Sequence, residues 1–239
     1  MIAPRPEFEQ LIAANRILYR EGVVDGLGHV SICHPDNPAL FVMSRSRAPG
    51  LVEVGDLMEF DLQAKPVDQR GRNMYGERMI HAAIYQARPD VCSVVHNHSP
   101  AVLPFSLTGQ RMQPCIHTAA IIGNDIPTWD IRDRFGPDTN MLVRNIDQGH
   151  DLAAALGENT CILMRGHGTT VAGQNVKQAV IAAIYLQLNA QVLTTALLMG
   201  DPITMTAGEV AGHGEIMMQP SANDRMWEYY CERAGVAFC

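Results

Sequence analysis

Apolar residues recur at helical spacing near the start of the chain and then give way to short β-rich segments. The spacing predicts an amphipathic helix over residues 7–21 with an apolar face of Phe8, Leu11, Ile12, Ile17 and Leu18. Three runs rich in β-branched and aromatic residues follow, separated by Pro, Asn and Gly. They predict antiparallel strands over 30–33, 40–43 and 57–62.

The second half of the chain alternates helical and strand patterns. Helical spacing returns over 76–87, and the apolar strand 91–95 runs directly into His96. After a polar region that contains prolines, the pattern predicts a helix over 148–156, a strand over 161–164, and a turn into a second strand. A long helix begins at Val176, and helical sequence over 205–239 ends the chain. Helices wrapped around short strands predict a single α/β domain over 1–239 with three α/β/α layers. The strand order cannot be predicted from this pattern.

Composition narrows the class of protein. Of the 239 residues, 47% are hydrophobic and 18% are charged, with a net charge of −7, which argues against a nucleic-acid or anionic-membrane surface. The opening residues lack the apolar segment of a secretory signal, so we expect a cytoplasmic protein. The longest apolar stretch, 179–199, contains Gln187, Asn189 and Gln191, which indicates a buried or interface helix rather than a membrane span. Six cysteines form no CxxC pair, which argues against a zinc ribbon.

Three histidines follow apolar strands and carry the candidate chemistry. His96 and His98 are separated by one residue, so in an extended segment both imidazoles share a face, the minimum for a metal chelate. His167 lies between two glycines that allow close approach of the backbone, and Glu77 opens the helix at 76–87. A catalytic metal needs three protein ligands and an open position. The pattern indicates such a site, although two strand-end histidines alone are a weak signal.

Four segments in this order resemble the class II aldolase/adducin family: Gly28-His-Val-Ser31, Tyr75-Gly-Glu77, Val95-His-Asn-His98 and Arg165-Gly-His-Gly168. The resemblance covers about residues 8–200. It implies a central, mostly antiparallel mixed sheet and a homotetramer with active sites near subunit interfaces. It also implies that His96, His98 and His167 bind one divalent metal per subunit. Zinc is the expected ion, and manganese, cobalt or iron are alternatives. By the same resemblance Glu77 is the catalytic acid/base.

The chain departs from the sugar-phosphate aldolases of this family where they bind phosphate. Cations and an aromatic ring stand where those aldolases have small hydroxyl-rich turns. The segments concerned are Gly28-His29, Ser44-Arg45-Ser46-Arg47 and Tyr75-Gly76. These positions resemble the decarboxylating branch, which acts on hydroxylated aromatic acids. The expected substrate is a small aromatic carboxylate, with 3,4-dihydroxyphthalate converted to 3,4-dihydroxybenzoate and CO₂. The predicted substrate contacts are Arg45, His29, Ser44 and Tyr75, with Arg47 a weaker candidate.

In this interpretation Glu77 donates the proton, because a carboxyl screened from water has a raised pKa. Arg45 would hold the substrate carboxylate that stays. Two alternatives remain open: an aldolase or epimerase on a non-phosphorylated hydroxy-keto acid, and a non-catalytic adducin-like module. Four other histidines are expected in structural or surface positions: His34, His81, His150 and His213.

Overall fold

A computed structural model describes residues 5–237 of the chain. Residues 1–4, the first part of the segment on which the cytoplasmic expectation depends, and residues 238–239, which include Cys239, lie outside this description. The helices are α1 Pro6–Arg20, α2 Arg78–Ala87, α3 Leu103–Leu107, α4 Arg132–Phe135, α5 Ile146–Leu156, α6 Val176–Met199, α7 Ala207–Met217 and α8 Pro220–Ala234. The strands are β1 His29–Cys33, β2 Leu40–Ser44, β3 Leu57–Asp61, β4 Ser93–Asn97, β5 Thr128–Trp129, β6 Cys161–Met164 and β7 Gly168–Gly173.

The seven strands form one sheet in the order β3-β2-β1-β4-β7-β6-β5. Every neighbouring pair is antiparallel except β5 and β6, which are parallel. The predicted mostly antiparallel mixed sheet is therefore confirmed. The sequence pattern did not predict α3, α4 and β5. These elements are short and lie in the polar, proline-containing region, where too few residues follow a helical or a strand period for either to be recognised.

Each face of the sheet buries its own apolar cluster. Adjacent residues of a strand point to opposite faces, so Val95 packs with α1, α6 and α8, whereas Val94 packs with α2 and α5. Helices cover both faces, which confirms the three-layer α/β/α fold. The helix predicted over 76–87 begins two residues later, at Arg78, and leaves Glu77 as the residue that precedes it.

Helix α6 is long and apolar enough to cross a membrane by length and composition, but 56% of its most apolar window is buried inside the fold. Two of its buried polar side chains, those of Gln187 and Asn189, are paired with the loops that follow β4. Gln187 accepts a hydrogen bond from Ser99 at 2.7 Å, and Asn189 accepts one from the Cys115 backbone N–H at 2.8 Å. These contacts tie the loops after β4 to the helix, as expected for a core helix.

Candidate metal centre

One edge of the sheet gathers the strand ends that carry the candidate site. Strand β4 is antiparallel to both β1 and β7, so the end of β4 lies beside the start of each neighbour. The register pairs His29 with His96 and Asn97 with Thr169. His167 lies in the turn just before β7.

His96, His98, His167 and Glu77 form one cluster at this edge, and their ligand atoms all lie within 4.8 Å of one another. Nε2 of His96 is 3.1 Å from Nε2 of His98. Oε2 of Glu77 is 3.3 Å from Nε2 of His167 and 3.7 Å from Nε2 of His96. The structure thus brings together the three imidazoles and the carboxylate that the sequence singled out.

This cluster fits a divalent metal ion. Bonds of about 2.0–2.1 Å in a tetrahedral zinc site place ligand atoms about 3.3 Å apart, close to the separations in the cluster. Both ring nitrogens of His167 are buried and have no hydrogen-bond partner within residues 5–237, although Glu77 Oε2 lies 3.3 Å from Nε2. Buried polar atoms rarely stay unpaired, and a cation between these side chains would pair one of the two nitrogens. Zinc, cobalt, manganese and iron all accept imidazole and carboxylate ligands.

Burial holds His96 in the form that binds metals. It lowers the pKa of the His96 imidazole well below its usual value, although the neighbouring Glu77 carboxylate acts in the opposite direction. A neutral imidazole has a free nitrogen lone pair, which a metal requires. His96 Nδ1 lies 3.3 Å from the Thr170 hydroxyl, and His98 Nδ1 lies 3.5 Å from Asp25 Oδ1. These neighbours fix the orientation of the two rings through their Nδ1 atoms.

The prediction of a raised pKa at Glu77 is wrong. Burial does raise the pKa of this carboxyl, but the imidazoles of His167 and His96 and the Val143 backbone N–H outweigh it and lower the pKa to about 2. The Val143 N–H donates to Oε1 at 2.9 Å. Glu77 is screened from water yet surrounded by groups that favour its charged form, so it is a carboxylate at neutral pH.

Two glycines allow the ligands to meet. A Cβ at Gly168 would lie 2.1 Å from the Asn97 backbone oxygen, so β4 and β7 approach too closely there for any other residue. Gly166 has a φ of +61°, in the left-handed region that favours glycine. The turn that carries His167 depends on both positions.

The predicted substrate contacts His29, Ser44 and Tyr75 lie at the same edge. The His29 ring centroid is 4.7 Å from that of Tyr75 and 5.1 Å from that of His96. The Tyr75 hydroxyl donates to the Arg47 carbonyl, and Ser44 is buried at the end of β2. Tyr75 therefore presents its ring between these polar groups.

Arg45 and Arg47 share one buried carboxylate. Arg45 Nε donates to Asp56 Oδ1 at 2.6 Å, and Arg47 Nη1 donates to both Asp56 oxygens at 3.1 and 2.9 Å. Burial raises the pKa of Asp56, but the Glu53 backbone N–H and the two guanidinium groups lower it further than burial raises it. Two cations around one anion leave a net positive charge. About a third of each arginine side chain is exposed to solvent.

The sequence analysis missed Arg144. One of its guanidinium nitrogens lies 2.7 Å from the position that a Cβ of Gly76 would occupy, next to Glu77 in the chain. The loop that carries Arg144 also supplies the Val143 N–H to Glu77. This loop is more than 60 residues away from Glu77 in sequence, and no local motif marks it.

Comparison with known proteins places these features in context. Residues 9–194 match the model of the Class II Aldolase and Adducin N-terminal domain. Decarboxylase tropJ of Talaromyces stipitatus is 37% identical over 215 residues, covering 85% of this chain and 79% of the relative. A 3,4-dihydroxyphthalate decarboxylase of Arthrobacter keyseri is 31% identical over 183 residues, 74% and 73% of the two chains. The structure of an L-fuculose 1-phosphate aldolase from Glaciozyma antarctica superposes with a TM-score of 0.78 at 24% identity, covering 95% and 88%.

Proposed function

The chain belongs to the class II aldolase and adducin family, and on that basis we propose that it decarboxylates an ortho-hydroxylated aromatic acid with the help of a divalent metal. The proposed reaction converts 3,4-dihydroxyphthalate to 3,4-dihydroxybenzoate and CO₂. Two decarboxylase relatives support an enzyme of the lyase kind. The observation that carries the proposal is the cluster of three imidazoles and one carboxylate, which a non-catalytic adducin-like module would not need.

In this proposal His96, His98 and His167 hold one metal ion per subunit, with zinc expected and manganese, cobalt or iron as alternatives. When bound, the ion supplies positive charge that stabilises the negative charge developing on a substrate oxygen as the carbon–carbon bond breaks.

Glu77 acts first as a base and then as an acid. Because its pKa is about 2, it begins the cycle as a carboxylate and takes the proton of the substrate hydroxyl that is ortho to the leaving carboxylate. It then gives this proton to the ring carbon that bears the leaving carboxylate, which produces a dienone. Loss of CO₂ returns the bonding electrons to the ring and restores aromaticity. The resulting phenolate takes one proton from solvent, which balances the reaction.

Arg45 and Arg47 bind the carboxylate that stays. Their shared contact with Asp56 fixes both guanidinium groups at the site edge while leaving net positive charge for an anionic substrate. A strong clamp on the leaving carboxylate would stabilise the ground state and slow the reaction, so the arginines are assigned to the other carboxylate. Tyr75 packs against the substrate ring, and Ser44 and His29 provide polar contacts.

Turnover of 3,4-dihydroxyphthalate by zinc-loaded protein tests the proposal, with CO₂ and 3,4-dihydroxybenzoate as the products to follow. We expect metal-dependent release of both, lost in His96→Ala and retained in the control His150→Ala. The control residue is exposed and hydrogen-bonds Gln86, away from the cluster. Unsubstituted phthalate should not react, because it lacks the ortho hydroxyl. No turnover with one zinc per subunit would refute this substrate and favour a hydroxy-keto-acid aldolase.

Assembly and location also remain proposals. Three large apolar residues at and just after the end of α6, Leu198, Met199 and Ile203, are at least 85% exposed. Burial of this surface against other copies would support the expected homotetramer with active sites near subunit interfaces. Light scattering of the purified protein tests the tetramer, and cell fractionation tests the cytoplasmic location.

A further inference from the structure

A chain of four buried polar side chains runs from the candidate site into the interior between β1 and α2. His29 Nδ1 lies 2.7 Å from His81 Nε2, and His81 Nδ1 lies 2.6 Å from the Ser31 hydroxyl. The Ser31 hydroxyl lies 2.7 Å from the hydroxyl of Tyr85. All four residues are buried, and both His81 and Ser31 have no exposed surface.

Apolar residues surround this chain, so its polar groups require an explanation. The Phe41 ring lies nearly parallel to the His81 ring, with centroids 6.4 Å apart and an angle of 8° between the planes. Burial lowers the pKa of His81 to about 3, so its imidazole is neutral. A fully paired buried network adds little net stability compared with an apolar core, but it fixes the orientation of its members.

The number of protons and the position of the two chain ends together favour one direction of the hydrogen bonds. Two neutral imidazoles and two hydroxyls carry four protons on nitrogen or oxygen. If Tyr85 donates to Ser31, Ser31 donates to His81 Nδ1 and His81 donates from Nε2 to His29 Nδ1, then every donor inside the chain has an acceptor. Each direction leaves one terminal proton without an acceptor in residues 5–237: in the reverse direction it is the proton of the buried Tyr85, at the end of the chain away from the candidate site, and in the first it is the proton on His29 Nε2, next to the site, where a bound molecule can accept it. The first arrangement leaves His29 with its proton on Nε2.

The remaining neighbours of His29 belong to the candidate site. Its ring lies 4.7 Å from Tyr75 and 5.1 Å from the ligand His96, between centroids. Because His81 occupies Nδ1, Nε2 is the nitrogen of His29 left for a molecule in the site. A protonated Nε2 can only donate a hydrogen bond, and its natural partner is an anionic oxygen.

We propose that Tyr85, Ser31 and His81 are positioning residues that hold His29 as the Nε2–H tautomer, so that it donates a hydrogen bond to a carboxylate or phenolate oxygen of the substrate. The identity of that substrate rests on the proposed function, whereas the tautomer does not. The sequence analysis expected a structural or surface position for His81, and the structure gives it a partner 52 residues away in the chain.

Nitrogen NMR of the full-length protein labelled with ¹⁵N-histidine tests the tautomer directly, because protonated and unprotonated ring nitrogens have widely separated shifts. His29→Gln and His81→Gln assign the signals. We expect both His29 and His81 to carry the proton on Nε2. A His29 signal with the proton on Nδ1 would overturn the proposal, whatever the enzyme's substrate.

Variants along the chain show whether distant hydroxyls set this tautomer. In Tyr85→Phe, Ser31 is free to accept from His81, so we expect a second His29 signal with Nδ1 protonated. The control Tyr19→Phe removes a hydroxyl from an exposed ring and should leave the spectrum unchanged. An unchanged His29 signal in both Tyr85→Phe and Ser31→Ala would contradict a positioning role.

Kinetics then connect the tautomer with substrate binding. We expect Tyr85→Phe to reduce kcat/KM for 3,4-dihydroxyphthalate about fivefold, the typical effect of one hydrogen bond, with zinc content unchanged. His81→Gln keeps a donor toward His29 and should lose less activity than His81→Leu. Wild-type kinetics in all of these variants would refute the contact between His29 and the substrate. Absence of turnover in the wild-type protein would refute the proposed function. In that case the NMR result would still decide the tautomer of His29.

Discussion

Substitution of Gly168 by alanine should disrupt the junction that brings the three histidines together. The added Cβ would lie 2.1 Å from the Asn97 backbone oxygen, whereas carbon and oxygen atoms in ordinary contact are separated by more than 3 Å. The obstacle is backbone in the middle of a sheet, so no side-chain rotation relieves it. Strands β4 and β7 must therefore separate by about 1 Å at this point. His98 directly follows the end of β4 there, and His167 directly precedes the start of β7.

The size of this shift sets two expected effects. Overpacking of a core costs about 1–3 kcal/mol, and we expect about 3 kcal/mol here, which lowers the Tm of a chain of this length by roughly 10 °C. A displacement of about 1 Å is also several times larger than the ~0.2 Å tolerance of metal–ligand bonds. Zinc at 100 times its Kd should stabilise the wild type by about 2.7 kcal/mol, and we expect Gly168→Ala to lose this gain.

Thermal unfolding with zinc and with chelator, at one fixed protein concentration, measures both effects. Gly212→Ala is the matched control, because no atom of residues 5–237 lies within 4 Å of its Cβ position and the glycine is exposed inside α7. That change should stabilise the protein by about 0.5–1 kcal/mol and preserve the zinc response. A Gly168→Ala protein with wild-type Tm and a full zinc response would refute the reasoning from close strand approach.

Three further outcomes follow from contacts in and around the site. Glu77→Gln should weaken zinc binding about 10-fold to 100-fold and reduce decarboxylation more than about 100-fold, measured by zinc titration and product release; wild-type turnover would remove Glu77 from the reaction. Because the folded pKa of Asp56 is lowered, its ionised form contributes stability above pH about 4 that is lost as the pH falls further, so Asp56→Asn should flatten the acid side of the stability profile in urea unfolding. Parallel profiles for the two proteins would contradict this. Asn189→Ala leaves backbone groups in residues 113–115 unpaired and should cost about 2–3 kcal/mol by the same method, whereas exposed Gln191→Ala should cost little; equal costs would exclude the hydrogen bonds as the cause.

Local patterns in the sequence were sufficient to predict most of the fold. The alternation in His96-Asn-His98 placed two imidazoles on one face, and helical periods located α1, α2 and α6 with small errors at their ends. The strand order was not predictable, because the neighbours of β4 are chosen by pairing between segments far apart in sequence. The three-layer arrangement followed from element order and from the family resemblance.

The electrostatics of the site depended on contacts that no local pattern reveals. The raised pKa expected for Glu77 considered burial alone, whereas the donor from Val143 lies 66 residues away in sequence and two imidazoles face the carboxylate. The sequence analysis expected a structural or surface position for His81, and the structure places it beside His29 of β1. In both cases neighbours from distant parts of the sequence determined the chemistry of the side chain.

The most direct measurement is anomalous diffraction at the zinc edge from zinc-loaded crystals, because it locates the metal without depending on any substrate. We expect one peak per subunit, within about 2.0–2.2 Å of a ring nitrogen of each of His96, His98 and His167. No peak among these side chains, or a peak held by other residues, would contradict the assignment of this cluster as the metal centre.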